Sequence, residues 1–225
     1  MAIYVAKIKG AKTPLPIAPN NGLSFNCVNW YSNTNVQYGI PIYQVSPFYL
    51  HDDNGYLLEN IWQGSKVYLE VNPINKVING KTIWQHPQET HVVNGELTLE
   101  YWQWRDKLWK NPYPVRYPNG YNGRHNCLFA VWCDNGKWEV LNYIPARKKI
   151  YCKVYEKLVK QTEAYQQLQA LYDAGCTMQL CEIDVEDALI TEELLIEKIN
   201  DPRKPFGHGY VLAACLMRLT NIFDV

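Results

Sequence analysis

Three polar side chains recur at helical spacing within an otherwise apolar stretch of this 225-residue sequence. Glu59, Gln63 and Lys66 stand at positions i, i+4 and i+7, so on a helix all three point to the same side. Such a face is commonly a solvated stripe with one intrahelical ion pair. The alternative is a carboxylate and an ammonium directed together into a cleft. There the carboxylate stabilises positive charge, and the lysine acts as an acid or as an amine nucleophile.

Three further segments carry residues suited to an anionic ligand. Arg116 lies among tyrosines in "PVRYPNG", where it fits a phosphate or a stacked base, or else pins the loop through backbone carbonyls. The stretch "GHG" at 207–209 precedes a predicted helix, so its N–H groups can meet an anion. A plain turn is the alternative there, and the flanking glycines predict an exposed His208. Arg147 begins a basic run at a helix start, which indicates an anionic ligand or acidic neighbours.

Several common sites are missing from the sequence. It contains neither GxxxxGK[ST] nor GxGxxG, so no phosphate-cradling loop is predicted. The histidines lack metal-binding spacing, and no GxSxG marks a serine hydrolase. The odd number of cysteines, without a CxxC pair, indicates reduced structural thiols, although a cysteine nucleophile stays open. We therefore expect neither a metal nor a cofactor.

Charge and composition limit the classes of partner. Lys plus Arg equal Asp plus Glu at 22 each, so no global positive field holds a nucleic acid. A local basic patch remains possible, and its candidate members are Arg105, Lys107, Lys110, Arg116 and Arg124. The sequence has no apolar run of roughly 18 residues and no leader-like start, so we expect a cytoplasmic protein without membrane contact. Eight Trp and 17 Tyr against 5 Phe are typical of ligand pockets and interfaces.

The elements that must position these residues follow from periodicity and turn signals. Alternation in "AIYVAKI" predicts a first strand, and three Asn-Gly steps between apolar runs predict hairpins. Helical spacing predicts one helix over 98–111 and further helices after Pro145, with Gly175 as a C-terminal cap. The pattern indicates an α+β fold as a single domain over 1–225. Its C-terminal half is rich in helix, and a loop- and hairpin-rich insertion lies at about 72–143.

The stretch "VSPFYLHDDNGYLLENIWQGSK" at 45–66 resembles the signature of the NADAR superfamily. That signature has a Ser-Asn-Phe-like start, a short hairpin with Gly, and a Glu-His-aromatic-Gln-x-x-Lys helix. Here Asn60 stands where the family has His, Ala213 stands where it has Gly, and "PFGHG" replaces the family's Trp-Gly loop. The residues that align with the signature, in three blocks, are Ser46, Pro47, Phe48, Glu59, Trp62, Gln63 and Lys66; Gly175, Leu180 and Glu182; and Leu212, Leu216 and Met217, with Ala213 at the glycine position.

The resemblance implies a NADAR-like fold and an N-glycosidase. Its substrate would be a ribosylated or ADP-ribosylated nucleotide or base, cleaved between the ribose and a base or amine nitrogen. Glu59 and Lys66 would be catalytic, and Glu182 is a further candidate carboxylate. The implied substrate contacts are Phe48, Asn60, Trp62, Gln63, Arg116, Tyr117, Asp184 and His208. Alternatives are a non-catalytic ADP-ribose-binding protein, a transferase that modifies nucleic-acid bases, and an assembly role. The partner would be a nucleotide, an ADP-ribose-like ligand or a modified nucleic acid. No motif indicates an oligomeric state.

Overall fold

The computed structural model describes residues 1–9, 16–28, 34–134 and 136–225. Its strands are β1 Ile3–Lys7, β2 Leu23–Asn26, β3 Lys66–Tyr68, β4 Glu70–Val71, β5 Ile74–Ile78, β6 Lys81–His86, β7 Glu89–Thr90, β8 Val92–Val93, β9 Glu96–Leu97, β10 Cys127–Asp134, β11 Lys137–Leu141, β12 Met178–Glu182 and β13 Ala188–Leu189. Its α-helices are α1 Leu58–Gly64, α2 Leu99–Trp109, α3 Gly120–Gly123, α4 Tyr143–Ala146, α5 Lys153–Val159, α6 Glu163–Asp173, α7 Glu192–Asn200 and α8 His208–Leu216. A π-helix covers Arg147–Cys152, and 3-10 turns cover Ile42–Val45 and Thr220–Phe223. This mixture confirms the α+β class.

The chain divides into two compact units. The first contains residues 1–50 and 152–225, and the second contains residues 51–151. The predicted hairpin-rich insertion at about 72–143 lies within the second unit, which extends beyond it on both sides. None of the helices in the described parts of the chain is long and apolar enough to cross a bilayer.

The first unit is built on a four-stranded sheet with the order β13-β1-β12-β2. The predicted first strand is confirmed as β1, which pairs in parallel with β12 from Ile3↔Met178 to Lys7↔Glu182. Strand β2 also runs parallel to β12, and β13 is antiparallel to β1. Every residue of β12 is buried, as expected for a central parallel strand. Helix α8, buried along its whole length, packs against β12 and β1.

The helical stretch after Pro145 is interrupted, contrary to the continuous periodicity of its sequence. Helix α5 ends at Val159, and Thr162 caps α6 by accepting a hydrogen bond from the Tyr165 N–H at 3.1 Å. A threonine in extended backbone satisfies an N–H group at a helix start, and this favours a new helix over continuation of the old one. The predicted cap at Gly175 is confirmed by its φ of +88°.

The second unit combines the sheet β11-β10-β3 with three two-stranded ladders. The predicted hairpins β5–β6 and β8–β9 are confirmed, and both turn through Asn-Gly pairs with positive φ. The φ angles are 49° and 75° at Asn79 and Gly80, and 51° and 83° at Asn94 and Gly95. Both pairs suit the tight turn whose twist matches that of the flanking strands. The predicted hairpin β10–β11 is also confirmed by its pairing, although Asn135 lies outside the described residues.

Aromatic rings form much of the core of the second unit. Helix α2 buries Tyr101, Trp104 and Leu108 against the β6 residues Ile83 and Trp84. The rings of Trp84 and Trp104 meet edge to face, with centroids 6.0 Å apart. Several of the abundant Trp and Tyr residues therefore supply packing area here, and their number alone does not indicate a ligand cleft.

Stability of the second unit is expected to fall in acid because of His91, which is fully buried beside Tyr101 and Trp104. Burial, with a smaller effect of His86, lowers the pKa of His91 from 6.5 to about 4, although Glu100 opposes the shift. The unfolded chain therefore binds a proton before the folded chain does. The contribution of neutral His91 to the free energy of unfolding is complete above the pKa that His91 has in the unfolded chain. It falls by roughly 2 to 3 kcal/mol as the pH decreases towards the pKa of His91 in the folded protein.

Urea unfolding followed by Trp fluorescence checks this expectation, because seven of the eight Trp residues lie in 51–151. Between about pH 7 and about pH 4, the wild type should lose roughly 2 to 3 kcal/mol more than a His91→Phe variant. Equal losses in the two proteins would show that His91 does not couple folding to protons.

Candidate functional site

Helix α1 and the start of β3 carry the polar residues singled out at 59–66. The prediction that Glu59, Gln63 and Lys66 share one helix is wrong for the lysine, because α1 ends at Gly64 and Lys66 begins β3. The helix ends where Ser65 turns its hydroxyl back to the carbonyl of Ile61 at 2.8 Å. Lys66 then pairs with Ala130 of β10, and sheet pairing overrides the helical spacing.

The three side chains nevertheless come together in one buried chain of hydrogen bonds. Lys66 Nζ donates to Gln63 Oε1 at 3.0 Å, and Gln63 Nε2 donates to Glu59 Oε1 at 3.0 Å. Their exposed fractions are 8%, 5% and 6% for Lys66, Gln63 and Glu59. A solvated surface stripe is thereby excluded. Gln63 bridges an ammonium and a carboxylate, and its amide orientation is fixed because the donor faces Glu59 and the acceptor faces Lys66.

Aromatic rings cover the lysine end of this chain. The ammonium of Lys66 lies 4.4 Å from the ring centroid of Trp62. The Trp62 ring lies 5.9 Å from that of Tyr143 and 5.7 Å from that of Tyr151. Cation–π attraction is strongest at a desolvated tryptophan, so the Trp62 ring helps to position the Lys66 side chain.

A second buried cation stands beyond these rings. Arg147 is 1% exposed, and its guanidinium carbon lies 4.8 Å from the ring centroid of Tyr143. It begins the π-helix Arg147–Cys152, and π-helical segments occur frequently at functional sites. The sequence left two explanations for the basic run, an anionic ligand or acidic neighbours. Lys149 of that run has acidic neighbours, since its Nζ lies 2.7 Å from Glu139 Oε2 and 3.4 Å from Asp134 Oδ2. An anionic ligand near Arg147 stays a prediction.

Lys76 is a residue of this region that the sequence reasoning missed. It is half-buried on β5, and its ammonium donates to the carbonyl of Arg116 at 3.2 Å. Burial lowers the pKa of Lys76 from its ordinary value, while the charge of Glu59 raises it and that of Arg116 lowers it. Lys76 is therefore within electrostatic reach of both residues. The alternation in β5 was the available signal, because Lys76 shares the more buried face with Ile74 and Ile78.

Arg116 and Tyr117 lie together in the loop that follows α2. The guanidinium carbon of Arg116 is 4.8 Å from the Tyr117 ring centroid. Tyr117 has a φ of 60°, in the left-handed region that a bulky residue seldom occupies. Such backbone strain persists only where the surrounding structure fixes it. The loop is thus held in one conformation that presents an arginine stacked on a tyrosine.

Asn60 holds backbone in place. It is fully buried, and its amide nitrogen donates to the carbonyls of Asn111 and Tyr113 at 2.9 and 3.0 Å. Its amide oxygen accepts from the N–H of Val115 at 2.8 Å. Both amide hydrogens are used, so we assign Asn60 to the positioning of 111–115, the stretch that leads into the Arg116 loop, in place of the ligand contact implied by the resemblance.

Asn60→Ala is expected to destabilise the second unit by about 2 to 3 kcal/mol, because it leaves two buried carbonyls and one buried N–H without partners. Asn60→Asp is the matched control because it keeps the shape of the side chain. It still offers an acceptor to the Val115 N–H, but an oxygen replaces the amide nitrogen that donates to the two carbonyls. Urea unfolding should rank the wild type above both variants. A loss below about 0.5 kcal/mol in Asn60→Ala would show that the three bonds do not hold the loop.

Three of the predicted site residues belong to the first unit. The prediction that His208 is exposed is wrong: it is 7% exposed, and its Nε2 lies 3.0 Å from the carbonyl of Cys27. The reason is that His208 begins the wholly buried helix α8. Asp184 donates its backbone N–H to Glu182 Oε1 at 3.0 Å. Phe48 is half-buried and donates its N–H to Ser46 Oγ at 3.2 Å. That these residues contact the same ligand as Glu59 stays a prediction.

Metal ligands and thiols do not form a second site in the described chain. Within residues 1–9, 16–28, 34–134 and 136–225, no three His, Cys, Asp or Glu side chains are grouped so that they could hold a metal ion. The cysteines are free thiols, and burial raises the pKa of Cys27 and Cys215, to about 12 for the latter. Thiols of this kind are poor nucleophiles.

Comparison with known proteins identified no relative. No family model matches the chain, and neither a curated protein nor a solved structure matches it.

Proposed function

We propose that the protein is an N-glycosidase that cleaves the bond between ribose and a base or amine nitrogen in a ribosylated or ADP-ribosylated nucleotide. Two things support the proposal: the resemblance of 45–66 to the NADAR signature, and the buried chain Lys66–Gln63–Glu59. The second is the main support, since it pairs a carboxylate with an ammonium away from water. The cytoplasmic location expected from the sequence is part of the same proposal.

Glu59 would stabilise the sugar. Cleavage of an N-glycosidic bond builds positive charge on the anomeric carbon, and a carboxylate in buried surroundings lowers the energy of that charge more than one in water does. The same carboxylate would accept a proton from the water that adds to the anomeric carbon. The amide of Gln63 would hold one oxygen of the Glu59 carboxylate and so fix the orientation of the group.

Lys66 would act on the leaving group. As an ammonium it gives one proton to the departing nitrogen, which leaves as a neutral base or amine. The water therefore supplies hydroxide to the sugar and a proton to Glu59, and both side chains return to their starting states by proton exchange with solvent. A Schiff-base route, with Lys66 as a nucleophile, requires a neutral amine. Lys66 Nζ donates to Gln63 Oε1 and lies over the Trp62 ring, an arrangement that suits a proton donor, so we prefer the acid role.

The remaining residues would bind the substrate. The rings of Trp62, Tyr143 and Tyr151 offer faces for a base. Lys76, within electrostatic reach of Glu59, would bring positive charge to this region, and this suits the phosphate of a nucleotide more than a neutral riboside. Arg147, beside the Tyr143 ring, would add a second cation. Arg116 would extend the same charge along the outer loop.

The decisive experiment supplies candidate substrates and follows the products. Wild type and Glu59→Gln are incubated with ADP-ribosylated guanine nucleotides, ADP-ribosylated DNA, NAD and simple ribosides, and released base and sugar are measured by mass spectrometry. Release by the wild type with little release by the variant would support the proposal. Equal release by both proteins would remove Glu59 from the mechanism.

A non-catalytic ADP-ribose-binding protein is the second candidate. It is favoured by the position of Asn60, which stands where the family has His and whose amide hydrogens are taken up by backbone carbonyls. In that case neither protein releases a base, yet ADP-ribose raises the melting temperature of both. Thermal shift with and without ADP-ribose therefore separates the two candidates.

A further inference from the structure

Helix α2 carries a second aromatic face besides the one that packs into the core of the second unit. Trp102, Arg105 and Trp109 stand at positions i, i+3 and i+7, so they share one side of the helix. All three are half-buried. The water-facing side of a helix is usually polar, so a cation set between two tryptophans indicates more than a solvated face.

The hairpin β10–β11 lies beside this face. Strand β11 brings Trp138 opposite Cys133 of β10, and the Trp138 ring meets the Trp102 ring edge to face with centroids 4.9 Å apart. Trp138 is 49% exposed, so this end of the face opens to solvent. We call the arrangement of Trp102, Trp109 and Trp138 around Arg105 the tryptophan box.

The three rings hold the guanidinium of Arg105 in place. Its carbon lies 3.7 Å from the ring centroid of Trp109, 4.7 Å from that of Trp138 and 5.3 Å from that of Trp102. Trp109 is itself fixed by α1, because a Cβ atom on Gly64 would lie 2.6 Å from Trp109 Cδ1. A guanidinium held in this way loses little conformational entropy when a ligand binds to it.

The Arg105 side chain is partly removed from water. Its Nε is buried and has no hydrogen-bond partner among the residues that the structure describes. Burial lowers the pKa of Arg105 from its ordinary value, although Tyr101 and other nearby groups oppose the shift. The carboxylate of the adjacent Asp106 pairs with Lys110 at 2.9 Å. A cation desolvated in this way gains more from an incoming anion than a solvated cation does.

Arg105 supplies the positive charge of the box in the described part of the chain. The sequence grouped it with other cations as a local basic patch, but the structure gives those cations different contacts. Besides the ion pair just described, Lys107 donates to the carbonyl of Gln85, and Arg124 donates to the carbonyl of Tyr121. These contacts lie outside the box, so we expect the box to prefer a ligand with a single negative charge.

We propose that the tryptophan box is a second binding site, which does not use Glu59, for a small carboxylic acid with an aromatic ring. A planar carboxylate matches the planar guanidinium and accepts two parallel hydrogen bonds from it. The ring of the acid stacks on the half-exposed Trp138. A phosphate monoester carries about two negative charges and offers no ring face, and a neutral aromatic compound leaves the cation without a counter-ion. An aromatic carboxylate is the ligand class that satisfies the charge and the rings together.

Isothermal titration calorimetry with naphthoate tests the proposal. Wild type should bind naphthoate with a Kd of about 1 mM or lower, and at least about 10-fold more tightly than acetate, inorganic phosphate or the neutral isostere naphthamide. Arg105→Met keeps the apolar stem and removes the charge, so it should bind naphthoate at least about 10-fold more weakly. Arg105→Lys keeps the charge without the planar fork, and its affinity should fall between the two. The control Lys110→Met removes a cation of the same helix outside the box and should stay within about twofold of wild type.

Three results would overturn the proposal: no binding of naphthoate by wild type, equal affinity of wild type for naphthoate and naphthamide, or equal affinity of wild type and Arg105→Met for naphthoate. Trp138→Leu, at a half-exposed position, provides a second test if Arg105→Met does not fold. It should bind naphthoate roughly 5-fold more weakly than wild type, whereas Trp138→Phe, which keeps a ring, should lose less. Glu59→Gln should bind naphthoate as wild type does. Weaker binding by that variant would place the acid in the Glu59 network and count against the box.

Discussion

Glu59→Gln is expected to lower the turnover number for base release by a factor of about 10² to 10⁴, with an unchanged KM. Glutamine has the shape of glutamate, and its amide oxygen still accepts the hydrogen bond from Gln63 Nε2. The fold and the ground-state contacts therefore persist. The negative charge is lost, and with it the stabilisation of the positive sugar, which arises only in the transition state.

The control variant for this prediction is Glu96→Gln. Glu96 is an exposed carboxylate of the same unit, so its neutralisation removes the same charge from the surface. Turnover by that variant should stay within about twofold of wild type. If Glu59→Gln retained more than half of the wild-type turnover, the Lys66–Gln63–Glu59 chain would be a structural element. A rise in KM at constant turnover number would instead assign Glu59 to binding.

Gly207→Ala is expected to lower the free energy of unfolding of the first unit by about 3 kcal/mol. A Cβ atom on Gly207 would overlap Glu182 Oε2 and would lie 2.9 Å from the carbonyl oxygen of Asp184. The backbone angles of Gly207, φ −66° and ψ 158°, are accessible to alanine. The cost is therefore steric, since a buried carboxylate and a backbone carbonyl must both move.

Gly39→Ala, in the same unit, separates steric cost from backbone cost. Gly39 has a φ of +80°, and a Cβ there would meet nothing within 4 Å, so alanine should cost only about 1 kcal/mol. Urea unfolding followed by far-UV circular dichroism measures both variants. A loss in Gly207→Ala no larger than that in Gly39→Ala would show that Glu182 moves aside freely. In that case the tight contact at the start of α8 would not hold the helix in place.

The sequence-based predictions that the structure confirms depend on interactions between residues close together in the chain. The Asn-Gly turns at 79–80 and 94–95 require positive φ angles, which few residues tolerate, so they were predictable from two letters each. Helix α2 was predicted from helical spacing, and the structure shows that its start is also fixed locally, because the Thr98 hydroxyl accepts a hydrogen bond from the Tyr101 N–H. In both cases the deciding interaction lies within a few residues of the chain.

The surroundings of several site residues could not be predicted, because they depend on contacts between residues far apart in the sequence. Lys66 pairs with Ala130 of β10 in a sheet, and no local pattern reveals a partner that is about 60 residues away. His208 is buried because its helix packs on β12 and β1. Asn60 bonds to a loop about 50 residues downstream. The type of each residue could be read from the sequence, but its surroundings depend on the tertiary fold.

Because β1 and β2 pair in parallel with β12, they cannot complete their sheet during synthesis until β12 has been made. The chain from Asn26 to Met178 is about 150 residues long, and a ribosome adds roughly 5 to 20 residues per second, so the amino-terminal strands emerge roughly 10 to 30 s before their partner. Residues 51–151, which form one compact unit, are complete within that interval. The buried faces of β1 and β2 stay unpaired until the last third of the chain appears. Expression of this protein should therefore depend on translation rate and on chaperones that shield apolar strands, more than its equilibrium stability would indicate.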